Sequence, residues 1–560
     1  MHRFSRATAP LAAPFLLLLA PAAQAQLSHS ITYGEQWTER HGHAIANVGD
    51  LDGDGRDNLV VGSPWWDAGI TFSCGRVYVY PEVGNGGPLY AIDGTQTGAQ
   101  FGHAICGVGD VDGDGAADFV VGSPYWNTST LVDAGKLELF SGATGALLRT
   151  LTGSAANEKL GLVLAPIGDL NGDGKPEVLC GEPGPSQVKI VSHNLNVLNT
   201  IFRGGDVEFG TSVSRTGDID GDGVDEILVG EPNYDTLVPF VLDRGRVAIY
   251  SGATLAFIDH VLGASTGDRM GESCAATGDH DSDGVDDFLC GSTVYGATDL
   301  GLVIGVSGAT RVTFFRAYGT AAGVHMGHAI TSIPDLDRDG LPEVAATELD
   351  GGALGTGKVF IWSGADFHVL WSFEGWSDAI STSEQLGYAL AAGNWNGDEY
   401  GDFVWTDPLH DANFLDGAGF IERGVTIAHV GCPAWTEEYG SGLAGTNGIP
   451  HLIAQDAPHV GGDLNVLVEN SLGAPTLAAL FLGVDPASTP FKGGTLLVDP
   501  ALTLIFPLDA GGTVLTGDIE YDVALYFAEF YVQVAEVDAG AVKKLSLTPG
   551  LKIHCGLELL

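Results

Sequence analysis

One nine-residue pattern recurs seven times in this chain, and that periodicity limits the fold more than any other feature. The copies read DLDGDGRDN from Asp50, DVDGDGAAD from Asp110, DLNGDGKPE from Asp169, DIDGDGVDE from Asp218, DHDSDGVDD from Asp279, DLDRDGLPE from Asp335 and NWNGDEYGD from Asn394. Successive copies begin 60, 59, 49, 61, 56 and 59 residues apart. A short apolar segment precedes each copy. In six it opens on an apolar or aromatic residue and Gly: Phe101-Gly102, Leu160-Gly161, Phe209-Gly210, Met270-Gly271, Met326-Gly327 and Leu386-Gly387, with His41-Gly42 in the first. An apolar run follows each copy and leads, in four, into a Gly-x-Pro turn such as Gly62-Ser63-Pro64. Downstream, the runs 135–140, 245–250 and 357–362 alternate as strands do, and a fourth strand follows, as at Ala146 to Leu151. Four short strands per unit make a propeller blade, and seven blades close a ring. The expected fold is all-β, a seven-bladed β-propeller over 26–431 followed by a C-terminal β-sandwich over 432–560.

Alternate positions of a tight loop point their side chains inward, so positions 1, 3, 5 and 9 of the nonapeptide converge. Calcium wants six to eight oxygens at about 2.3–2.6 Å, and position 7 can add a backbone carbonyl. Gly at position 6 permits the sharp turn. The expected ligands are Asp50, Asp52, Asp54 and Asn58; Asp110, Asp112, Asp114 and Asp118; Asp169, Asn171, Asp173 and Glu177; and Asp218, Asp220, Asp222 and Glu226. They continue as Asp279, Asp281, Asp283 and Asp287; Asp335, Asp337, Asp339 and Glu343; and Asn394, Asn396, Asp398 and Asp402. An EF-hand would need an acidic residue at position 12, where the first two copies place Val61 and Val121. Turn-making alone does not explain the loops, because they hold 28 of the 71 acidic residues at mutually repulsive distances. Up to seven structural Ca²⁺ ions are therefore expected. The seventh site is expected to be the weakest or empty, with two Asn ligands and Glu399 where Gly belongs.

The Phe-Gly opening, the Asp loop and the Gly-x-Pro turn together resemble FG-GAP repeats, those of the integrin α-chain head, here in a secreted bacterial type. The resemblance covers residues 36–430 and departs locally at Gly291-Ser292-Thr293, Ala346-Thr347-Glu348 and Trp405-Thr406-Asp407-Pro408. Ring closure takes a strand from either Ile31–Gly34 or Val425–Val430. The Asp loops join first to second strands, so the second-to-third connections emerge on the opposite rim, which the resemblance implies is the ligand face. Trp65, Trp66, Tyr125 and Trp126 lie in those connections, with Tyr234 and Tyr295 at equivalent places. They read either as ligand contacts for a glycan or protein or as packing between blades. His43, His103 and His328 recur in a Gly-His-Ala frame and read as packing rather than as catalytic bases.

His2, Arg3 and Arg6, an apolar run from Leu11 to Ala20 and the Ala23-Gln24-Ala25 site predict a signal peptide over 1–25. The run is too short to anchor in a membrane, so a secreted or cell-envelope location is expected, without membrane insertion. A net charge of −47 argues against nucleic-acid partners. Among seven cysteines, Cys106, Cys180, Cys274 and Cys290 read as small buried residues, Cys432 and Cys555 as a possible pair, and Cys74 as lone. C-terminal strand segments are expected at Leu464–Val468, Leu477–Leu482, Leu496–Val498, Leu502–Phe506, Ala524–Val534 and Leu551–His554. No GxSxG, HExxH or phosphate-loop motif occurs. The expected function is a calcium-binding adhesion module for an extracellular glycan or protein, not an enzyme. The alternatives are a propeller-scaffolded polysaccharide-degrading enzyme and a structural envelope-layer protein.

Overall fold

The apolar runs that follow the Asp loops are buried on both faces, as strands in the middle of a packed sheet must be. Every residue of Asn58–Ser63, Asp118–Ser123, Glu177–Glu182, Glu343–Glu348 and Asp402–Asp407 is buried. The computed structural model describes residues 29–33, 35–36, 39–81, 87–204, 208–237, 240–296, 298–336, 340–352, 355–375, 385–395, 402–409 and 425–429, with shorter stretches between 435 and 554. The described residues form strands and turns and no helix. They divide into two compact units, at 28–431 and from 432 onward.

The first unit is a propeller with seven four-stranded antiparallel sheets among its described residues. Sheet one runs outward as Ala44–Gly49, Asn58–Ser63, Arg76–Tyr80 and Tyr90–Asp93. The inner strands of sheets two to seven are Ile105–Gly109, Val163–Ile167, Val213–Arg215, Ser273–Ala276, Met326–Ile333 and Leu390–Gly393. Each inner strand packs against the next, and that of sheet seven packs against that of sheet one. Both ends of the chain segment close sheet seven. Its order from the outside is His29–Tyr33, Val425–His429, Asp402–Asp407, Leu390–Gly393, so the two expected closing strands are used together.

Glycines of the repeat let neighbouring sheets approach. A Cβ on Gly62 would lie 2.1 Å from the carbonyl oxygen of Gly102, and one on Gly122 would lie 2.2 Å from that of Gly161. The Gly of one sheet's Gly-x-Pro turn thus abuts the Gly of the next sheet's Phe-Gly type pair. Apolar clusters fill the space between sheets, as where Val60, Val77, Phe101 and Phe119 meet. Each such side chain contributes on the order of 1.5–3 kcal/mol on full burial. Cys106, Cys180 and Cys290 are buried and Cys274 half-buried, all free thiols, as is the buried Cys74. Cys432 and Cys555 lie outside the described residues.

The second unit holds one six-stranded sheet, a three-stranded sheet and a two-stranded sheet. Its strands Asp463–Val468, Thr476–Gly483, Gly494–Val498, Leu502–Leu508, Glu529–Glu536 and Gly550–His554 cover the segments read as strands from sequence, except for 524–528, which lie outside the described residues. Phe481, Leu496, Ala535 and Leu547 form a buried apolar cluster there.

Candidate metal centres

Each Asp loop connects an inner strand to the second strand of its sheet. The first residue organises the turn. One oxygen of Asp50 accepts the Gly53 N–H at 2.6 Å and the other accepts the Gly55 N–H at 2.9 Å. Asp110, Asp169 and Asp218 repeat this at 2.6–3.0 Å. Gly53 and Gly55 have φ of +80° and +87°, a backbone that L side chains resist, and it turns both N–H groups inward. Donors from Gly113 and Gly115 hold the Asp110 carboxyl below its ordinary value.

The ninth residue does a different job. In all seven loops it is fully buried; it opens the second strand in five, and in the fourth and fifth it stands just before Ile227 and Phe288, where that strand begins. Its side chain accepts the backbone N–H of position 2: Val111 to Asp118 at 2.9 Å, Leu170 to Glu177 at 2.7 Å, His280 to Asp287 at 2.8 Å, Leu336 to Glu343 at 2.8 Å and Trp395 to Asp402 at 2.7 Å. Leu51 to Asn58 and Ile219 to Glu226 repeat the contact.

Among the described residues, donor atoms converge in five loops. Asp50, Asp52 and Asp54 bring oxygens within 4.8 Å of one another, as do Asp110, Asp112 and Asp118, then Asp218, Asp220, Asp222 and Glu226, then Asp279, Asp281 and Asp287. The Asn58 amide accepts from the Leu51 N–H and donates to the carbonyls of Tyr80 and Pro81. Asp114 and Asp283 turn instead towards Ser141 and Ser307, at 3.5 and 3.4 Å. The fourth loop tests the fit for a cation directly. Glu226 Oε1 is buried without a hydrogen-bond partner beside three aspartates. Burial, then Asp220, Asp218 and Asp222, push its carboxyl up to about 7. An oxygen-only donor set of this kind suits a hard divalent cation.

The third loop gathers a group that the loop motif does not contain. Asp173 and Glu177 converge with His193, while Asn171 donates its amide to Glu177 and Asp169 keeps to the backbone. His193 sits in the turn between the third and fourth strands, where sheets two, four, five and six read Ser141-Gly142, Ser251-Gly252, Ser307-Gly308 and Ser363-Gly364. That break in the Ser-Gly frame was the available sequence signal. In the sixth loop Asp335 accepts the Gly340 N–H at 3.0 Å, and in the seventh the Asn394 N–H reaches Asp57 of the first at 2.9 Å. Asp337, Asp339, Asn396, Asp398 and Glu399 lie outside the described residues.

Comparison with known proteins identifies the repeat. The FG-GAP repeat family matches residues 101–137 and 209–250, and the FG-GAP-like repeat family matches 169–229. Human integrin alpha-IIb is 34% identical over 172 residues, which cover 28% of this chain and 16% of that protein. Integrin alpha-PS2 of Drosophila melanogaster is 36% identical over 104 residues, covering 16% and 7%. The ring is an FG-GAP, integrin α-like propeller. The chain spans less than a fifth of the length of these relatives. A solved structure of the Dos1 propeller aligns with a TM-score of 0.36 at 12% identity, covering 71% of this chain and 93% of that one.

On the rim of the FG-GAP propeller opposite the Asp loops, the four aromatic residues singled out from sequence separate into two kinds. Trp66 is 6% exposed, with the Arg76 guanidinium 3.5 Å from its ring centroid. Trp126 lies under the Lys136 ammonium at 3.4 Å, and Tyr234 under Arg246 at 4.0 Å. These rings pack within their sheets beneath the first residue of the third strand. Trp65 and Tyr125 turn the other way and meet His43 and His103, at 5.0 and 6.3 Å between centroids.

Proposed function

We propose that this chain is an exported calcium-binding propeller that serves as a binding or adhesion module for an extracellular glycan or protein. The seven sheets are its blades, residues 1–25 its signal peptide, 26–431 the propeller and 432–560 a β-sandwich. The convergence of acidic donors in repeated loops, with a buried Glu226 oxygen lacking any partner, carries the reading. Calcium in these loops holds each inner strand to its neighbour, adding about 2.7 kcal/mol per site when calcium stands a hundredfold above Kd. Partners then engage the opposite rim, and neither nucleic acid nor a membrane interior is among them.

Calcium titration of the full chain should raise the melting temperature saturably, and EDTA should lower it. An unchanged melting temperature would remove calcium from the account. A screen of glycans and envelope proteins, with and without calcium, should capture a ligand. Turnover of a polysaccharide would point to an enzyme, and calcium-dependent self-association alone would point to a layer-forming protein.

A further inference from the structure

At the rim opposite the Asp loops, the inner strands begin around the centre of the ring. The residue after the Gly of each Phe-Gly type pair stands at that start. In sheets six, seven, one and two these are His328, Tyr388, His43 and His103, and they form a continuous chain of rings. His328 lies 5.1 Å from Tyr388, Tyr388 5.0 Å from His43, and His43 4.7 Å from His103, between ring centroids. Trp65 and Tyr125 flank this arc. Two cations complete it, the Arg40 guanidinium 4.5 Å from the Trp65 centroid and the Lys159 ammonium 5.1 Å from that of Tyr125.

The charge balance of this mouth is unusual for the chain. Net charge over the sequence is −47, yet neither Arg40 nor Lys159 pairs with a carboxylate among the described residues. The equivalent Arg269 is held by Glu208 and Glu272 at 3.0 and 2.7 Å, and the equivalent His325 by Asp350 at 2.5 Å. The Nδ1 atoms of His43 and His103 are buried and have no hydrogen-bond partner. Burial keeps both imidazoles neutral, with His103 down to about 4, so the rings line the mouth without adding charge. Unspent cations, neutral imidazoles and aromatic rings thus share one place. The acidic remainder of the surface is screened beyond about 8 Å at physiological salt, so a ligand held here feels the local cations.

We infer that the mouth formed by Arg40, His43, Trp65, His103, Tyr125 and Lys159 binds an anionic glycan, its carboxylate or sulfate groups on the two cations and its sugar faces on the aromatic rings. This rests on the binding-module reading and names the chemistry of its ligand. Guanidinium and ammonium groups make charge-assisted hydrogen bonds to such anions. Mixed aromatic and polar linings of this kind fix an amphipathic ring. A cluster confined to the centre of the ring fits one narrow chain better than a folded acidic protein surface.

The test uses the full chain with calcium and four fluorescent probes: a polyuronate hexamer, a sulfated oligosaccharide, a neutral glucan and a polyglutamate peptide. Arg40 and Lys159 sit at φ of 54° and 55°, and Gln100 holds the equivalent place in sheet two at 55°. Arg40→Gln and Lys159→Gln therefore reuse a residue the backbone already accommodates, and an unchanged melting temperature will confirm folding. The wild type should bind one or both anionic glycans, the relative affinities telling uronate from sulfate, with neutral glucan bound at least tenfold more weakly. The double variant should lose at least tenfold. His43→Gln should weaken binding as well. Equal binding by the folded double variant, or tighter binding of polyglutamate than of either glycan, would overturn the assignment. A chain that captures other extracellular ligands but neither anionic glycan sinks this inference alone; one that captures none sinks the binding-module reading too.

Discussion

His193 Nδ1 lies 3.5 Å from Asp173 Oδ2, which brings an imidazole from a strand turn into the third Asp loop. In sheets two and five the same turn position is Gly, and its N–H donates to the ninth loop residue, Gly142 to Asp118 and Gly308 to Asp287, each at 2.9 Å. Sheet three exchanges that backbone donor for a side-chain nitrogen. Calcium prefers oxygen, whereas imidazole suits zinc and cobalt.

The third loop should therefore respond differently from the others. With calcium saturating, Co²⁺ added to the full chain should give one visible absorption band at one equivalent, and Zn²⁺ should quench it. His193→Gly should abolish the band and leave calcium stoichiometry the same or raised by one. A band that survives the substitution would place cobalt elsewhere.

Positions 3 and 9 of a loop should separate on mutation. Asp112 is exposed, while Asp118 is buried and accepts the N–H groups of Val111, Asp112 and Gly142 at 2.9, 3.2 and 2.9 Å. Asp112→Ala should weaken calcium binding and leave the calcium-free protein nearly as stable as before. Asp118→Ala leaves buried donors unpaired, and should cost on the order of 3 kcal/mol even in EDTA. Denaturant melts of both variants with and without calcium read the difference directly.

Glu39 gives a pH dependence of known sign. It is fully buried, accepts the Tyr78 hydroxyl at 3.2 Å and the Gln36 N–H at 3.3 Å, and burial pushes its carboxyl up to about 7 from an ordinary 4.5. The folded chain holds this proton more tightly than the unfolded chain does. Its stabilising contribution is full below pH 4.5 and is lost as pH rises through about 7. Glu39→Gln should flatten the stability profile across that window, by up to about 3 kcal/mol. A profile that matches the wild type would show that another group governs it.

Much of this was readable from residue order because it is local. The strand alternation and the nonapeptide spacing each act within one hairpin, so the sheets and the converging aspartates follow from neighbours in sequence. What residue order leaves open concerns contacts that cross it. Trp65 and Trp66 are adjacent, and only the third strand, which brings Arg76 over Trp66, determines which of the two is covered. His193 joins Asp173 and Glu177 because the outer hairpin folds back beside the loop. In sequence, ring closure is a choice between termini, since nothing local reveals that His29–Tyr33 and Val425–His429 are partners.

That pairing is itself open to test. Val425–His429 lies between two strands, with Ile427 opposite both Ile31 and Trp405. Deleting residues 29–33 would leave its outer edge unpaired, and an exposed edge is a site for pairing with other chains. Amide hydrogen exchange at 425–429 should accelerate in the deletion variant, while Asp402–Asp407, still paired on both sides, keeps most of its protection. The melting temperature should fall, and the variant should aggregate at concentrations where the full chain stays monodisperse. Exchange at 425–429 equal to that of the full chain would mean that the N-terminal strand does not close the ring in solution.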